Sequence, residues 1–161
     1  MNNVILFEEV QGATNNTVKF FRITGFLFVF ALIFNLIRQH GTITNSTQIL
    51  VVGTLICGLV VMMGNIKMTT IIKEDGIYVS YKPFQPRFVK FEWANIQTAY
   101  MRKVNPLVEF RGWGIKYGPM GKGYLVAGNA GLQLQLKDGT MILIGTQKLE
   151  EMEDAVKKMI S

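Results

Sequence analysis

Two long apolar runs dominate the first 66 residues of the chain. One covers 20–37, with Arg22 near its start and Asn35 near its end, and the other covers 49–66 and contains no charge. Each run has about 18 residues, close to the roughly 20 that a helix needs to cross a hydrocarbon core. A pair of buried core helices is the alternative, but a helix of a soluble protein normally keeps a polar stripe, whereas these runs are apolar on every side. The pattern therefore favours a transmembrane helical hairpin over residues 18–66.

The basic residues near the ends of the two runs predict an orientation. Lys19, Arg22, Lys67 and Lys73 lie on the terminal side, and Arg38 alone lies in the connecting loop. Positive charge accumulates on the cytoplasmic side of membrane proteins, so both termini are expected to be cytoplasmic. Residues 1–17 then form an N-terminal cytoplasmic segment.

Small residues recur at a spacing of four in the second run. Gly53 with Cys57, and Thr54 with Gly58, would let another helix backbone approach closely. Packing against the first run is favoured, and dimerisation through the same face is the alternative.

From Lys67 onward the pattern changes to short β-branched and aromatic runs separated by glycine or proline. Asp75-Gly76 and Asp138-Gly139 predict two tight hairpins, because glycine readily adopts the positive φ that such turns require. Leu132, Leu134 and Leu136 alternate with polar residues, which predicts a strand with one buried face. The remaining strands are expected at 68–72, 77–81, 87–92, 96–104, 113–117, 123–127 and 141–144. Residues 67–161 are thus predicted to form one β domain of seven or eight short antiparallel strands.

The chain is predicted to end in an amphipathic helix that begins after Thr146. Acidic residues crowd its first half and Lys157 and Lys158 occupy its last turn, as the helix dipole favours. Its apolar stripe is expected to cover the open end of a small barrel; the stripe consists of Leu149, Met152, Val156 and Met159.

A partly open barrel of about seven antiparallel strands closed by a C-terminal helix describes the pleckstrin-homology-like fold. The chain resembles a bacterial family of unknown function that joins a two-span hairpin to such a domain. The matching segments are 7–11, 111–116, 127–134, 138–139 and 144–147. The resemblance implies a bacterial membrane protein and implies no activity. Together with the orientation predicted from the basic residues, it gives an expected multi-pass protein of the inner membrane with the β domain in the cytoplasm.

Charge is unevenly distributed along the chain. The net charge is +6, and residues 67–145 contain eleven Lys and Arg against five Asp and Glu. A basic domain beneath an anionic leaflet would be attracted to lipid, while a solvated cationic surface is an equal alternative. The residues of this basic surface are Lys82, Arg87, Lys90, Arg102 and Lys103.

A glycine-rich stretch at 111–123 is the best candidate for a ligand site. Its spacing does not match a nucleotide-binding loop, so turn glycines explain it better. Trp113, Lys116 and Lys122 are predicted to lie near the barrel mouth, where they could bind a small molecule or an anionic lipid headgroup. Trp113 is otherwise expected to be a core aromatic residue.

The sequence offers little for catalysis. His40 and Cys57 are the only histidine and cysteine, so we expect no metal site, no cofactor and no enzymatic activity. Nucleic-acid motifs are lacking as well. The leading hypothesis is a membrane-anchored, non-enzymatic scaffold that binds a protein partner or itself at the cytoplasmic face. The alternative is binding of a small molecule or lipid headgroup at the barrel mouth.

Overall fold

The computed structural model describes residues 4–12, 23–31, 34, 51–56, 58 and 65–160. The chain divides into two compact units, one made of Met1–Gly12 with Lys67–Ser161 and the other of Ala13–Ile66. The first unit is mainly β. Its described elements are β1 (Ile5–Gly12), β2 (Lys67–Lys73), β3 (Gly76–Lys82), β4 (Gln85–Phe91), a 3₁₀ turn (Trp93–Asn95), β5 (Ile96–Lys103), α1 (Pro106–Phe110), β6 (Gly114–Gly118), β7 (Gly121–Leu125), β8 (Ala130–Leu136), β9 (Met141–Thr146) and α2 (Leu149–Ile160).

The strands form two sheets. The order is β1-β2-β3-β4 in the first sheet and β5-β8-β9-β7-β6 in the second. Both Asp-Gly turns join antiparallel neighbours, β2 to β3 and β8 to β9. Contrary to the expectation of about seven antiparallel strands, the described part of the chain has nine, and β7 pairs with β9 in parallel. The parallel pair arises because the hairpin partner of β9 is β8, which leaves the other edge of β9 to β7.

The core lies between the two sheets and beneath α2. The Phe91 and Tyr124 rings meet edge to face at 6.5 Å between centroids and join one sheet to the other. Met152, Ala155 and Val156 are buried on the inner side of α2. A second cluster, formed by Val104, Phe110, Leu125 and Leu143, lies beside α1.

Strand β1 shows that the N-terminal segment does not stand apart from the β domain. The sequence set residues 1–17 aside, yet Ile5–Gly12 pairs with β2 along its whole length. Gly12 lies directly opposite Lys67 in this register. Residues 13–66 are therefore an insertion between two paired strands.

The predicted transmembrane hairpin over 18–66 is wrong. Within the described ranges, every helix falls short of the length and apolarity needed to cross a membrane. This finding also overturns the multi-pass inner-membrane localisation with cytoplasmic termini. The other residues of the two apolar runs lie outside the described ranges.

The three residues predicted for helix packing fall in the same unit. Gly53 is buried and Gly58 is exposed within helical residues, and a methyl group at Gly58 would meet no described atom within 4 Å. Cys57 lies outside the described residues, as does His40. Among the described residues, none therefore packs closely against Gly58, where the spacing of small residues predicted a helix contact.

Candidate functional site

Each sheet ends in two edge strands, and these differ in how open they are to a further strand. An edge strand presents unpaired N–H and C=O groups to its surroundings. β4 contains Pro86, which has no N–H, and β6 has only five residues with glycine at both ends. β5 has eight residues without proline, and β8 is its only strand partner in the described part of the chain. β5 therefore offers the longest such edge in the second sheet.

A groove of about 810 Å³ lies between β5 and α2. One side is formed by the second half of β5, and the other by the helix. At about 100° per residue, the helix residues that line it share one side of α2. The lining residues are Ala99, Tyr100, Met101, Arg102 and Lys103 from β5, and Leu149, Glu153, Val156, Lys157 and Ile160 from α2.

The helix side of the groove presents apolar residues beside the Glu153–Lys157 ion pair. Val156 is buried at its floor, while Leu149 is 37% exposed and Ile160 is 56% exposed. Tyr100 on β5 is 44% exposed. These side chains leave apolar surface uncovered next to an unpaired strand edge.

The charged residues of the groove are largely paired within the chain. The Arg102 guanidinium donates to Glu109 at 2.7 Å and to the Gln133 side chain at 3.1 Å. Burial opposes ionisation of Glu109, but the Asn105 N–H and the Arg102 guanidinium outweigh it and lower the pKa of Glu109. Lys157 pairs with Glu153 at 2.7 Å.

Lys103 is exposed at the end of β5 and has no ion-pair partner among the described residues. The groove thus combines apolar walls with one unpaired positive charge.

The predicted basic surface splits into paired and unpaired residues. Lys90 lies 3.0 Å from Asp75 and 3.2 Å from Glu92, so it is already neutralised. Lys82 and Arg87 are exposed, without an ion pair to any described residue. The five basic residues therefore do not form one free cationic surface.

Asp75 is held in its charged form by two donors. The Tyr78 hydroxyl and the Lys90 ammonium both donate to one carboxylate oxygen and lower the pKa of Asp75. The hydrogen bond to Asp75 raises the pKa of Tyr78 in turn, and the carboxylates of Asp75 and Glu92 raise that of Lys90.

These contacts predict a pH dependence of stability. A carboxyl group with a lowered pKa in the folded state stabilises the fold above its unfolded pKa, and this stabilisation is lost as the pH falls through the folded pKa. Lowering the pH from about 5 to about 2 should therefore reduce the free energy of unfolding less in the Asp75→Asn variant than in the natural chain. Urea unfolding at both pH values measures the difference. Glu74→Gln, at an exposed carboxylate without an ion pair among the described residues, is the control; an equal effect of both variants would contradict this role of Asp75.

The structure separates the three residues predicted for the barrel mouth. Tyr117 lies opposite Lys122, whereas Lys116 lies opposite Gly123. Because neighbouring residues of a strand point to opposite faces, Lys116 and Lys122 are on different sides of the β6–β7 hairpin. Trp113, 49% exposed, precedes β6.

Lys122 is engaged by aromatic rings. Its ammonium lies 4.8 Å from the centre of the Tyr124 ring and 5.9 Å from that of Tyr117. These contacts place Lys122 against its own hairpin.

A buried polar network joins β1 to the start of α2. Glu9 is 5% exposed and accepts hydrogen bonds from the Thr146 hydroxyl at 2.7 Å, the Gln11 side chain at 3.1 Å and the Gln147 N–H at 3.0 Å. Gln11 also donates to the carbonyl of Gly145 at 2.7 Å. The Thr146 hydroxyl, expected to cap the helix, accepts from the Lys148 N–H. This network holds β1 to the chain segment that leads into α2.

Sequence reasoning missed both the groove and this network. The sequence pattern concealed the network, because the buried face of β1 carries Glu9 and Gln11 whereas Val10 between them is exposed. The sequence carried no signal for the groove, because residues 99–103 and 149–160 are distant in sequence and come together only in the folded chain. Across the described ranges, no cluster of three or more His, Cys, Asp or Glu could hold a metal ion.

No protein-family model, curated protein or solved structure matches the chain. The resemblance to a pleckstrin-homology-like family therefore stays a prediction. Function is therefore inferred from the geometry of the site itself.

Proposed function

We propose that the chain is a non-enzymatic interaction module that binds an extended segment of a partner protein along β5. The partner segment adds to the second sheet as a strand and lies in the groove beside α2. The observation that carries this proposal is the unpaired edge of β5 next to an apolar helix wall.

Strand addition suits the geometry of β5. In an antiparallel pair, every second residue directs its N–H and C=O away from its partner, so β5 retains such groups on the side opposite β8. Hydrogen bonds to these groups provide affinity without depending on the partner's sequence. Eight residues at about 3.3 Å each give the partner strand about 26 Å to pair with.

The helix wall provides the selectivity. Side chains of an added strand alternate between two faces, so every second one would meet Leu149, Val156 or Ile160. Apolar side chains at these positions would cover the exposed surface of the groove. An acidic side chain near Lys103 would pair with its unpaired charge.

Selection from a random peptide library with the full chain tests the proposal. We expect the selected peptides to carry apolar residues at alternate positions and to protect β5 amides from hydrogen exchange. Alternate N–H groups of the peptide form two sets, and only one set faces β5. N-methylation of that set should abolish binding, whereas N-methylation of the other set should not.

Two variants make the test specific to the groove. Ile160→Glu places a charge on the apolar wall and should weaken peptide binding at least about tenfold. Val108→Glu, at a residue 76% exposed on α1 and outside the groove, should not change it. Failure to select any peptide, or binding that leaves β5 amides unprotected, would overturn the proposal.

A further inference from the structure

The turn between β3 and β4 exposes positive charge and aromatic surface together. Residues 76–91 contain no Asp or Glu. Lys82 and Arg87 are exposed and have no ion pair with any described residue, while Lys90 is neutralised at the other end of the hairpin. Phe84, which is 60% exposed, lies between Lys82 and Arg87 in the sequence, and Phe88, which is 49% exposed, follows Arg87. We name Lys82, Phe84, Arg87 and Phe88 the basic-aromatic hairpin.

The outer side of α2 carries two exposed carboxylates, with Lys158 one turn beyond Asp154. Glu151 and Glu153 pair with Lys148 and Lys157, so their charges are compensated. Glu150 and Asp154 are exposed, and neither forms an ion pair with a described residue. We name these two residues the outer acidic face.

The helix geometry directs the outer acidic face away from the core. Residues four apart are neighbours on a helix surface, so Glu150 and Asp154 lie one turn apart on the same side. At about 100° per residue, that side is opposite the buried residues Met152, Ala155 and Val156. It also differs from the side that lines the β5 groove.

We propose that these two surfaces bind each other between copies of the chain. The basic-aromatic hairpin of one copy contacts the outer acidic face of the next, with Lys82 and Arg87 opposite Glu150 and Asp154. Charge complementarity identifies a second copy as the occupant, because one chain contains two exposed cations in one hairpin and two exposed carboxylates on one side of α2, all without an ion pair to a described residue.

The contact joins two different surfaces, and each copy therefore keeps one free surface of each kind. Such head-to-tail contacts build rings or open chains, whereas a symmetric contact would stop at a dimer. The proposal does not depend on peptide binding at β5.

Charge reversal in the full chain tests the proposal by sedimentation velocity at low and high salt. The natural chain should form dimers and larger species whose mass falls as salt rises, since exposed charges are screened. Lys82→Glu with Arg87→Glu, and separately Glu150→Lys with Asp154→Lys, should each raise the dissociation constant of self-association at least about tenfold. Lys116→Glu with Lys137→Glu changes two exposed lysines elsewhere and should leave it unchanged.

Mixing the two charge-reversed variants gives the sharpest result. One variant carries only acidic and the other only basic charge on these two surfaces, so an equimolar mixture should form alternating dimers and larger species that neither variant forms alone. Combining all four substitutions in one chain should restore larger species. A natural chain that stays monomeric would overturn the proposal. Monomers in the mixture, or undiminished association of either charge-reversed variant alone, would also overturn it.

Discussion

Replacing Gly121 with alanine should lower the free energy of unfolding by about 4 kcal/mol, because backbone strain and a backbone clash act together. Gly121 begins β7 with a φ of +89°, a conformation that residues with a side chain rarely adopt. An added methyl carbon would lie 2.0 Å from the carbonyl oxygen and 2.6 Å from the carbonyl carbon of Met141. Since those atoms belong to the backbone where β9 begins, relief requires the parallel β7–β9 pair to separate.

Gly139→Ala is the matched control for this effect. Gly139 has a similar φ of +85°, yet a methyl carbon there would meet no described atom within 4 Å. We expect a loss of about 1 kcal/mol from the left-handed conformation alone. Urea unfolding followed by circular dichroism measures both variants, and equal losses would show that the contact with Met141 is unimportant.

Replacing Glu9 with leucine should lower the free energy of unfolding by about 3 kcal/mol. The substitution leaves the Thr146 hydroxyl, the Gln147 N–H and one Gln11 N–H without their acceptor in a buried region. A buried donor without a partner costs about 1–3 kcal/mol, and rearrangement of the Thr146 hydroxyl recovers part of the total. The same unfolding measurement tests this value.

Glu8→Leu is the matched control, because Glu8 is exposed one residue earlier on the same strand. Its effect should stay within about 0.5 kcal/mol. Glu9→Leu would also be expected to increase hydrogen exchange at Gln147 and Lys148, where β1 holds the start of α2. A loss equal to that of Glu8→Leu, with unchanged exchange, would show that the network contributes nothing to stability.

Local patterns were sufficient for the elements with clear hydrophobic spacing. The alternation at 132–136 and the Asp138-Gly139 turn predicted β8, β9 and the hairpin between them. The three-four spacing after Thr146 predicted α2. In these elements the side chains that set the pattern also form the core, so the sequence shows which face is buried.

The pattern failed where burial and polarity disagree. In β1 the inner face carries Glu9 and Gln11, while Val10 is 61% exposed, so its alternation is the reverse of an ordinary strand. Its partner β2 is about 50 residues away in sequence, which leaves no turn signal to reveal the pairing. The parallel β7–β9 pair likewise depends on chain topology that local spacing does not encode.

The candidate site was only partly accessible to sequence analysis for the same reason. Charge counting identified the basic residues of the β domain but could not show that Lys90 pairs with Asp75 or that Arg102 pairs with Glu109. The three residues predicted at the barrel mouth were grouped by proximity in sequence, whereas strand register separates Lys116 from Lys122. Ion pairs and faces of this kind depend on which strands become neighbours.

The pairing of Gly12 with Lys67 has a consequence for how the chain can vary. Paired strands hold these two residues about 5 Å apart, so residues 13–66 replace what would otherwise be a hairpin turn. The entropy of closing a flexible loop grows only with the logarithm of its length, so chain length alone is weakly constrained at such a position. Segments of very different length whose own ends meet at this spacing can therefore be exchanged at this position while the β sheets remain the same.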